Sequence, residues 1–539
     1  MTLRRGLVDM EAAVASQRIA LRVLQLGAFA VVVVSAPYKM FDLDRFFVPK
    51  ELVLNAVVLV VVLLCLVRVR RIALARVDQL LALWLVLGVL SAVFATNWWL
   101  AGRAVAISLS GAACFWCARL FARVGLSRPL VAALALAGVI GATTALLQAY
   151  GIHSELFSLN RAPGGTFGNR NFMAHLCAIT LPALLFSALR APSRASLWRW
   201  CGGIAIVAAA LILSRSRAAW LSLVAGLVVF LVAGFLAMRT RDGTFKLRRL
   251  VLVALAACAG AGASLVLPNV LDWKSDSPYM DTAQSLVNYK GGSGKGRVVQ
   301  YGNSLRMSLY HPLLGVGPGN WPVVYPRFAS EQDPSLGLDG MTSNPWPSSD
   351  WVTFVAERGA VALVLLALAV LALGLDGVRG LREGESEDAR VSAAVLLATL
   401  AVLIVVGSFD AVLLLPIPAL VGWSLLGALT AKSRVRAVLE LALPRRMLAM
   451  LCVAALGGVA VARNGAQLAA MSLYSTSTSG KVLERASALD PGSYRIHVKL
   501  AESYRNRGDC ARSRTHASAA RQLFPSAPAA KRLLAQCGG

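Results

Sequence analysis

The chain has 539 residues, 57% of them hydrophobic and only 15% charged, against about 25% charged in an ordinary soluble domain. That composition excludes a soluble globular protein of this length. The formal net charge of +27 invites a nucleic-acid reading, but the basic residues sit in alternate short loops between apolar runs, the pattern that orients membrane spans.

In chain order the apolar runs fall at about residues 19–36, 50–67, 78–95, 104–118, 129–150, 172–189, 200–213, 218–238, 250–267, 351–375, 391–408, 411–430 and 447–462. Most approach the roughly 20 residues that cross a bilayer core; the fourth, seventh and thirteenth are the weakest. The sequence therefore predicts an all-α polytopic transmembrane bundle of about 13 spans. Arg4 and Arg5 do not lead into a short apolar stretch with a small-residue cleavage site, so the first run reads as a retained anchor. Basic clusters such as Arg68, Arg70, Arg71 and Arg76, or Arg190, Arg194 and Arg199, mark the cytoplasmic loops. The N-terminus is then cytoplasmic, and loops 37–49, 96–103, 151–171, 214–217, 268–350 and 409–410 face outward. An odd span count divides the chain into a membrane domain, 1–462, and an outward tail, 463–539.

Loop 268–350 is too long for a mere connector. Within it GGSGKG (Gly291 to Gly296) reads as a flexible linker; the string lacks the spacing and the strand-to-helix setting of a phosphate loop. In the tail, Pro491 and Pro525 lie 34 residues apart, each ending a helical stretch, and that interval is the tetratricopeptide period. Leu483, Ala486, Leu500, Ala501, Tyr504, Gly508 and Ala520 take its small and apolar positions. So short an array must lean on the last span or on a partner; a generic helical hairpin is the plainer reading. Cys510 and Cys537 fall in this tail, in a turn and near the end of the following helix. They form either a disulfide, as an oxidising compartment favours, or two separate thiols.

Arginines on the outer side run against the charge rule. Arg215 and Arg217 occupy a very short outer corner, and Arg161, Arg170 and Arg297 lie in other outer segments. Ionisable groups at membrane depth are costly and mark function by default, and a guanidinium fork suits phosphate oxygens. Headgroup snorkelling is the plainer alternative, stronger for Arg161 and Arg170 than for Arg217.

Four motifs accompany these arginines. They are FVPKELVLN (Phe47 to Asn55), GGTFGNRNFMAHL (Gly164 to Leu176), SRAAWL (Ser216 to Leu221), and the block 311–359, which opens with HPLLGVGPGN and closes with SSDWVTFVAERG. Together they resemble the O-antigen ligase and O-antigen polymerase superfamily. The resemblance implies a metal- and cofactor-free glycosyltransferase of the bacterial inner membrane. Its donor would be an undecaprenyl-pyrophosphate-linked glycan, and its acceptor a glycan, lipid A core or protein. Arg217 and Arg297 match the arginines that hold the donor's pyrophosphate. Arg215, Arg170, Asn171 and Asn320 join them as substrate-binding candidates.

One departure stands out. Where the family commonly carries a histidine that assists acceptor activation, this chain has Ser348, with Asp350 at the aspartate two residues on. A serine is no base near pH 7 without one of its own. Either Asp350 takes over as catalytic group, or the good leaving group needs little help, or activity is impaired. His311 ranks below Asp350, and His175, inside a span, reads as a core histidine. A non-catalytic scaffold that recruits polysaccharide assembly proteins through the tail is the alternative function; a transporter lacks the repeated half-domains it needs. The cysteines form no CxxC pair, and no metal site is expected.

Overall fold

The computed structural model describes residues 2–37, 44–158, 161–240, 246–286, 292–337, 339–430 and 433–538. It is all-α apart from one small two-stranded sheet. The first six membrane helices are α1 (Thr2–Val33), α2 (Asp44–Arg68), α3 (Arg76–Val93), α4 (Trp98–Arg123), α5 (Ser127–Ala149) and α6 (Arg170–Leu189). After them come α7 (Arg194–Ser214), α8 (Arg217–Thr240) and α9 (Leu247–Val266). The 268–350 insertion carries α10 (Pro278–Gln284), α11 (Gly292–Tyr310) and the single turn α12 (Trp321–Val324). The membrane series resumes with α13 (Asp350–Glu383), α14 (Glu387–Phe409), α15 (Pro416–Leu429) and α16 (Leu443–Thr476).

Twelve helices among the described residues are long and apolar enough to cross a bilayer. The one expected span not among them, the twelfth at 411–430, corresponds to α15, only 14 residues long and buried throughout. Such a helix has no lipid face, so it needs no full apolar length of its own. Strands β1 (Arg71–Leu74) and β2 (Ala437–Glu440) pair antiparallel between the α2–α3 and α15–α16 connections. That pairing puts both connections at one end of the bundle. At the opposite end lie the 94–97 turn, the insertion and the tail.

Of the expected Gly291–Gly296 linker, Gly291 falls outside the described residues, and from Gly292 the chain is helical. The tail folds as α17 (Gly480–Leu489), α18 (Tyr494–Asn506), α19 (Cys510–Leu523) and α20 (Pro528–Gln536). No break falls at 463: α16 carries the chain as one helix to Thr476. Leu483, Ala486, Leu500, Ala501, Tyr504 and Ala520 are buried. Part of this core is borrowed, because Val48 of α2 and Ala470 and Met471 of α16 complete the cluster around Leu483, Leu500 and Tyr504. Further contacts tie the tail to the membrane domain. Asn97 donates to the Leu523 carbonyl at 3.3 Å, and Arg463 pairs with Asp490 at 3.2 Å.

Cys510 and Cys537 form a disulfide with Cα atoms 5.3 Å apart. In non-reducing, denaturing conditions both should resist alkylation, and both should become reactive after reduction. Cys510→Ser should cost the tail about 3 kcal/mol in the chain-entropy account, read as earlier proteolysis of the tail.

His497 and His516 face each other with Nδ1 atoms 3.1 Å apart. Burial pushes both imidazoles below the usual histidine range, and the neighbouring His497 lowers His516 further. With a folded pKa below the unfolded one, the stability they contribute is present while the unfolded chain is also neutral. It is lost as pH falls through the ordinary value of about 6.5. Hydrogen exchange in α18 and α19 should therefore rise on acidification to about pH 5; unchanged protection would mean that the pair does not titrate in the unfolding range.

Candidate functional site

Three separate stretches of chain bring arginines together at the insertion end of the bundle. The α7–α8 corner supplies Arg215, whose left-handed backbone (φ 51°) ends α7, and Arg217, which opens α8. Short helix α10 covers that corner: Arg215 Nε donates to Thr282 Oγ1 at 2.9 Å and Arg217 Nη1 to the Ser285 carbonyl at 2.8 Å. The 161–170 turn supplies Arg161, also left-handed (φ 65°), and Arg170 at the start of α6, where the Asn169 side chain caps the Asn171 N–H. The guanidiniums of Arg170 and Arg215 both lie against the Trp273 ring, at 4.9 and 4.7 Å. Helix α11 supplies Arg297, within electrostatic reach of Arg217, Tyr301 and His175.

None of Arg161, Arg170, Arg215 and Arg297 pairs with a carboxylate among the described residues. Arg161 is exposed, but Arg170, Arg215 and Arg297 are partly buried, and partly buried cations without counter-ions carry a desolvation cost that a bound anion would relieve. The chemistry of the set is that of an anion cradle.

Block 311–359 has a different character. Gly359 sits at φ 82° and breaks the α13 ladder in mid-helix. The glycine turn takes over the freed groups. Val316 N–H donates to the Ala356 carbonyl and Gly317 N–H to that of Glu357, each at 3.0 Å, while Ala360 N–H reaches the Pro312 carbonyl at 2.9 Å. Glu357 reaches back, its carboxylate accepting from the N–H groups of Gly319 at 2.8 Å and Trp321 at 3.2 Å. A Cβ on Gly315 would stand 2.3 Å from the Glu357 carbonyl carbon, so only glycine fits. Asn320, expected at the substrate, is completely buried and clamps Asn97 with bonds of 2.7 and 3.0 Å.

Asp350 is also completely buried. Its oxygens accept from Val412 N–H at 2.9 Å and from Leu413 N–H at 3.0 and 3.1 Å. This geometry pins the 410–415 segment rather than offering a free lone pair to an acceptor. Next to it, Tyr301 of α11 points its hydroxyl at the carbonyls of Ser348 and, at 3.0 Å, Ser408. Burial pushes that phenol above its ordinary range, with Asp410 acting in the same sense and Arg297 opposing.

Asp410 and His175 were not among the expected site residues. His175 is 1% exposed, its Nε2 lies 3.8 Å from Asp410 Oδ2, and neither ring nitrogen has a hydrogen-bond partner. The available signal was an acid in a very short loop between two apolar runs together with an ionisable side chain inside another; what hid it was their separation along the chain. Among the described residues no group of His, Cys, Asp and Glu has the makings of a metal site.

Beneath the tail lies a cavity of about 1130 Å³ among α2, α4 and α16. Its walls are largely apolar, and Arg103, Glu51, Asp44, Arg463 and Asp490 stand at the tail end. Arg103 pairs there with Glu51 at 2.7 Å and Asp44 at 3.1 Å. The expected motif Phe47–Asn55 lies along this polar belt, with Asn55 bonded to Asn464 at 2.7 Å.

Residues 202–367 match the family model described as O-antigen ligase. The match supports a multi-pass membrane protein of the glycan ligase or polymerase type. It includes Arg215, Arg217, Arg297 and the 311–359 block, and leaves Arg170, His175 and Asp410 outside. No curated protein matches the chain.

Removal of the Asp350 charge should be felt as stability. Asp350→Asn leaves buried N–H groups poorly matched, at about 1–3 kcal/mol, and should lower the melting temperature in detergent, whereas Ser348→Ala should leave it nearly unchanged. Equal melting temperatures would mean that the carboxylate does not hold the loop.

Proposed function

We propose that the protein is a glycosyltransferase of the inner membrane that moves a lipid-pyrophosphate-linked glycan to an acceptor hydroxyl at the periplasmic face. The observation that carries this reading is the convergence of Arg170, Arg215, Arg217 and Arg297 from three stretches of chain. Of these, Arg215 and Arg217 at the α7–α8 corner and Arg297 on α11 lie inside the matched span. The donor would be an undecaprenyl-pyrophosphate-linked oligosaccharide or polysaccharide. Arg217 and Arg297 hold its pyrophosphate and oppose the charge that grows as the glycosidic bond breaks, a preorganised electrostatic role. Arg170, Arg215 and Asn171 line the approach. Asn320 and Asp350, both buried, act in this reading by positioning the turn and the 410–415 segment. The residues present require no metal: cations already surround the leaving group. Ligase and polymerase share this machinery.

The disulfide supports a periplasmic tail, since thiols pair in oxidising compartments, and the alternating basic loops then put the N-terminus in the cytoplasm. The helical tail, tetratricopeptide-like in spacing, stands over the cavity and suits the acceptor glycan or an assembly partner.

Arg217→Lys keeps the charge but loses the planar fork, so activity should fall substantially. Arg217→Ala and Arg297→Ala should each fall roughly 10²–10³-fold. The measurement is surface glycan in a deletion strain carrying each variant at normal expression. Uncapped, lipid-linked long polymer would identify a ligase and single repeat units a polymerase. Full glycan from both alanine variants would remove these arginines from the site, and failed export of chains of normal length would favour the scaffold reading.

A further inference from the structure

Buried side-chain nitrogens in folded proteins nearly always find a partner. His175 breaks that rule twice, because Nδ1 and Nε2 are both inaccessible and both unbonded. A histidine kept merely for packing has no reason to be an imidazole here, where a leucine would fill the space without burying two polar atoms. Its surroundings single it out further. Arg297 and Asp410 are the charged groups that act on it. Asp410 in turn acts on Tyr301, whose hydroxyl faces the Ser348 carbonyl. The imidazole thus belongs to the same cluster as the position where the histidine is missing, reached from α6 instead of from the start of α13.

Its other side faces aromatic rings. Phe172 lies edge-on to His175 at 6.4 Å, and Trp346 lies 6.2 Å from Phe172 and 5.3 Å from Phe47. Trp346 and Phe47 line the large cavity. His175 therefore sits between the arginine cradle and the cavity, with the Trp346–Phe172 wall closing the cavity side.

We propose that His175, oriented by Asp410, is the general base that accepts the proton of the acceptor hydroxyl, which reaches the enclosed imidazole from the cavity side once the Trp346 side chain has swung aside. The assignment rests on the glycosyl-transfer reading above. Nε2 faces Asp410, which selects the tautomer protonated there and leaves the Nδ1 lone pair for the substrate. A separation of 3.8 Å is long for a hydrogen bond, and such contacts commonly tighten only when substrate is bound. In the step, the acceptor O–H proton passes to Nδ1 as the acceptor oxygen bonds to the anomeric carbon. The glycosyl–phosphate C–O bond breaks, and its electron pair leaves on the pyrophosphate between Arg217 and Arg297. The imidazolium, its charge opposed by Asp410, then releases the proton to the departing pyrophosphate.

The test uses full-length variants in a deletion strain, with surface glycan and the melting temperature of the purified protein as joint readouts. His175→Leu preserves packing and should melt at or above the parent temperature while losing roughly 10²–10⁴-fold in activity, the range for a general base. Adding Ser348→His should restore part of that activity by returning an imidazole to the same cluster. A folded His175→Leu protein of full activity overturns the proposal. So does loss of activity that Ser348→His fails to raise when Ser348→His alone is active. If His175→Leu is active while Arg297→Ala is dead, only this inference fails; if both are fully active, the glycosyl-transfer site itself is misplaced.

Discussion

The break in α13 at Gly359 is the constraint on which the insertion end of the bundle depends. A helix interrupted at membrane depth exposes carbonyls and N–H groups that lipid cannot satisfy. Here the glycine turn at 311–321 satisfies them, through Val316 and Gly317 donating to Ala356 and Glu357 and through Ala360 donating to Pro312. The Glu357 carboxylate closes the exchange by holding the Gly319 and Trp321 N–H groups. Neither partner is stable in this form without the other. The turn is too glycine-rich to hold its own shape, and the break would be intolerable without the turn.

That lock places α11. The helix leaves the turn backwards, across the start of α13, where Gln300 accepts from the Ser348 N–H at 2.7 Å and Tyr301 spans to Ser408. Arg297, one turn earlier, is thereby delivered to the α7–α8 corner. Motif residues such as Gly315 and Glu357 thus act on the cradle indirectly, by fixing the helix that carries an arginine. This division also accounts for Asn320 and Asp350, whose polar atoms are fully engaged with backbone groups. They make the scaffold rigid, while the arginines keep the donor capacity that a ligand needs.

A second set of buried polar contacts ties the tail to the bundle. Glu51, Asn55, Arg103 and Asn464 join α2, α4 and α16, and Asp490 of the tail meets Arg463 at the end of the same belt. In a low-dielectric interior such groups hold one another in register strongly. They keep α16 packed on α2 while leaving it largely apart from α4, and the cavity is the space between.

Much of this was legible along the chain, because membrane spans report themselves through local composition: each apolar run became a helix, including the buried α15 that is too short to span alone. The arginines of the α7–α8 corner stand out along the chain because they lie in so short a gap between apolar runs; their convergence with Arg170 and Arg297 appears only in the fold. In the tail, the cysteine pair named from the sequence closes into a disulfide. What composition cannot carry is direction. Asp350 and Asp410 are both acids at the ends of apolar helices, and only packing decides that one is enclosed by the N–H groups of residues 412 and 413 while the other faces an imidazole. His175 reads as core from its apolar sequence neighbours and is buried; its meeting with Asp410 spans more than two hundred residues of chain, and such a juxtaposition exists only once the helices have packed.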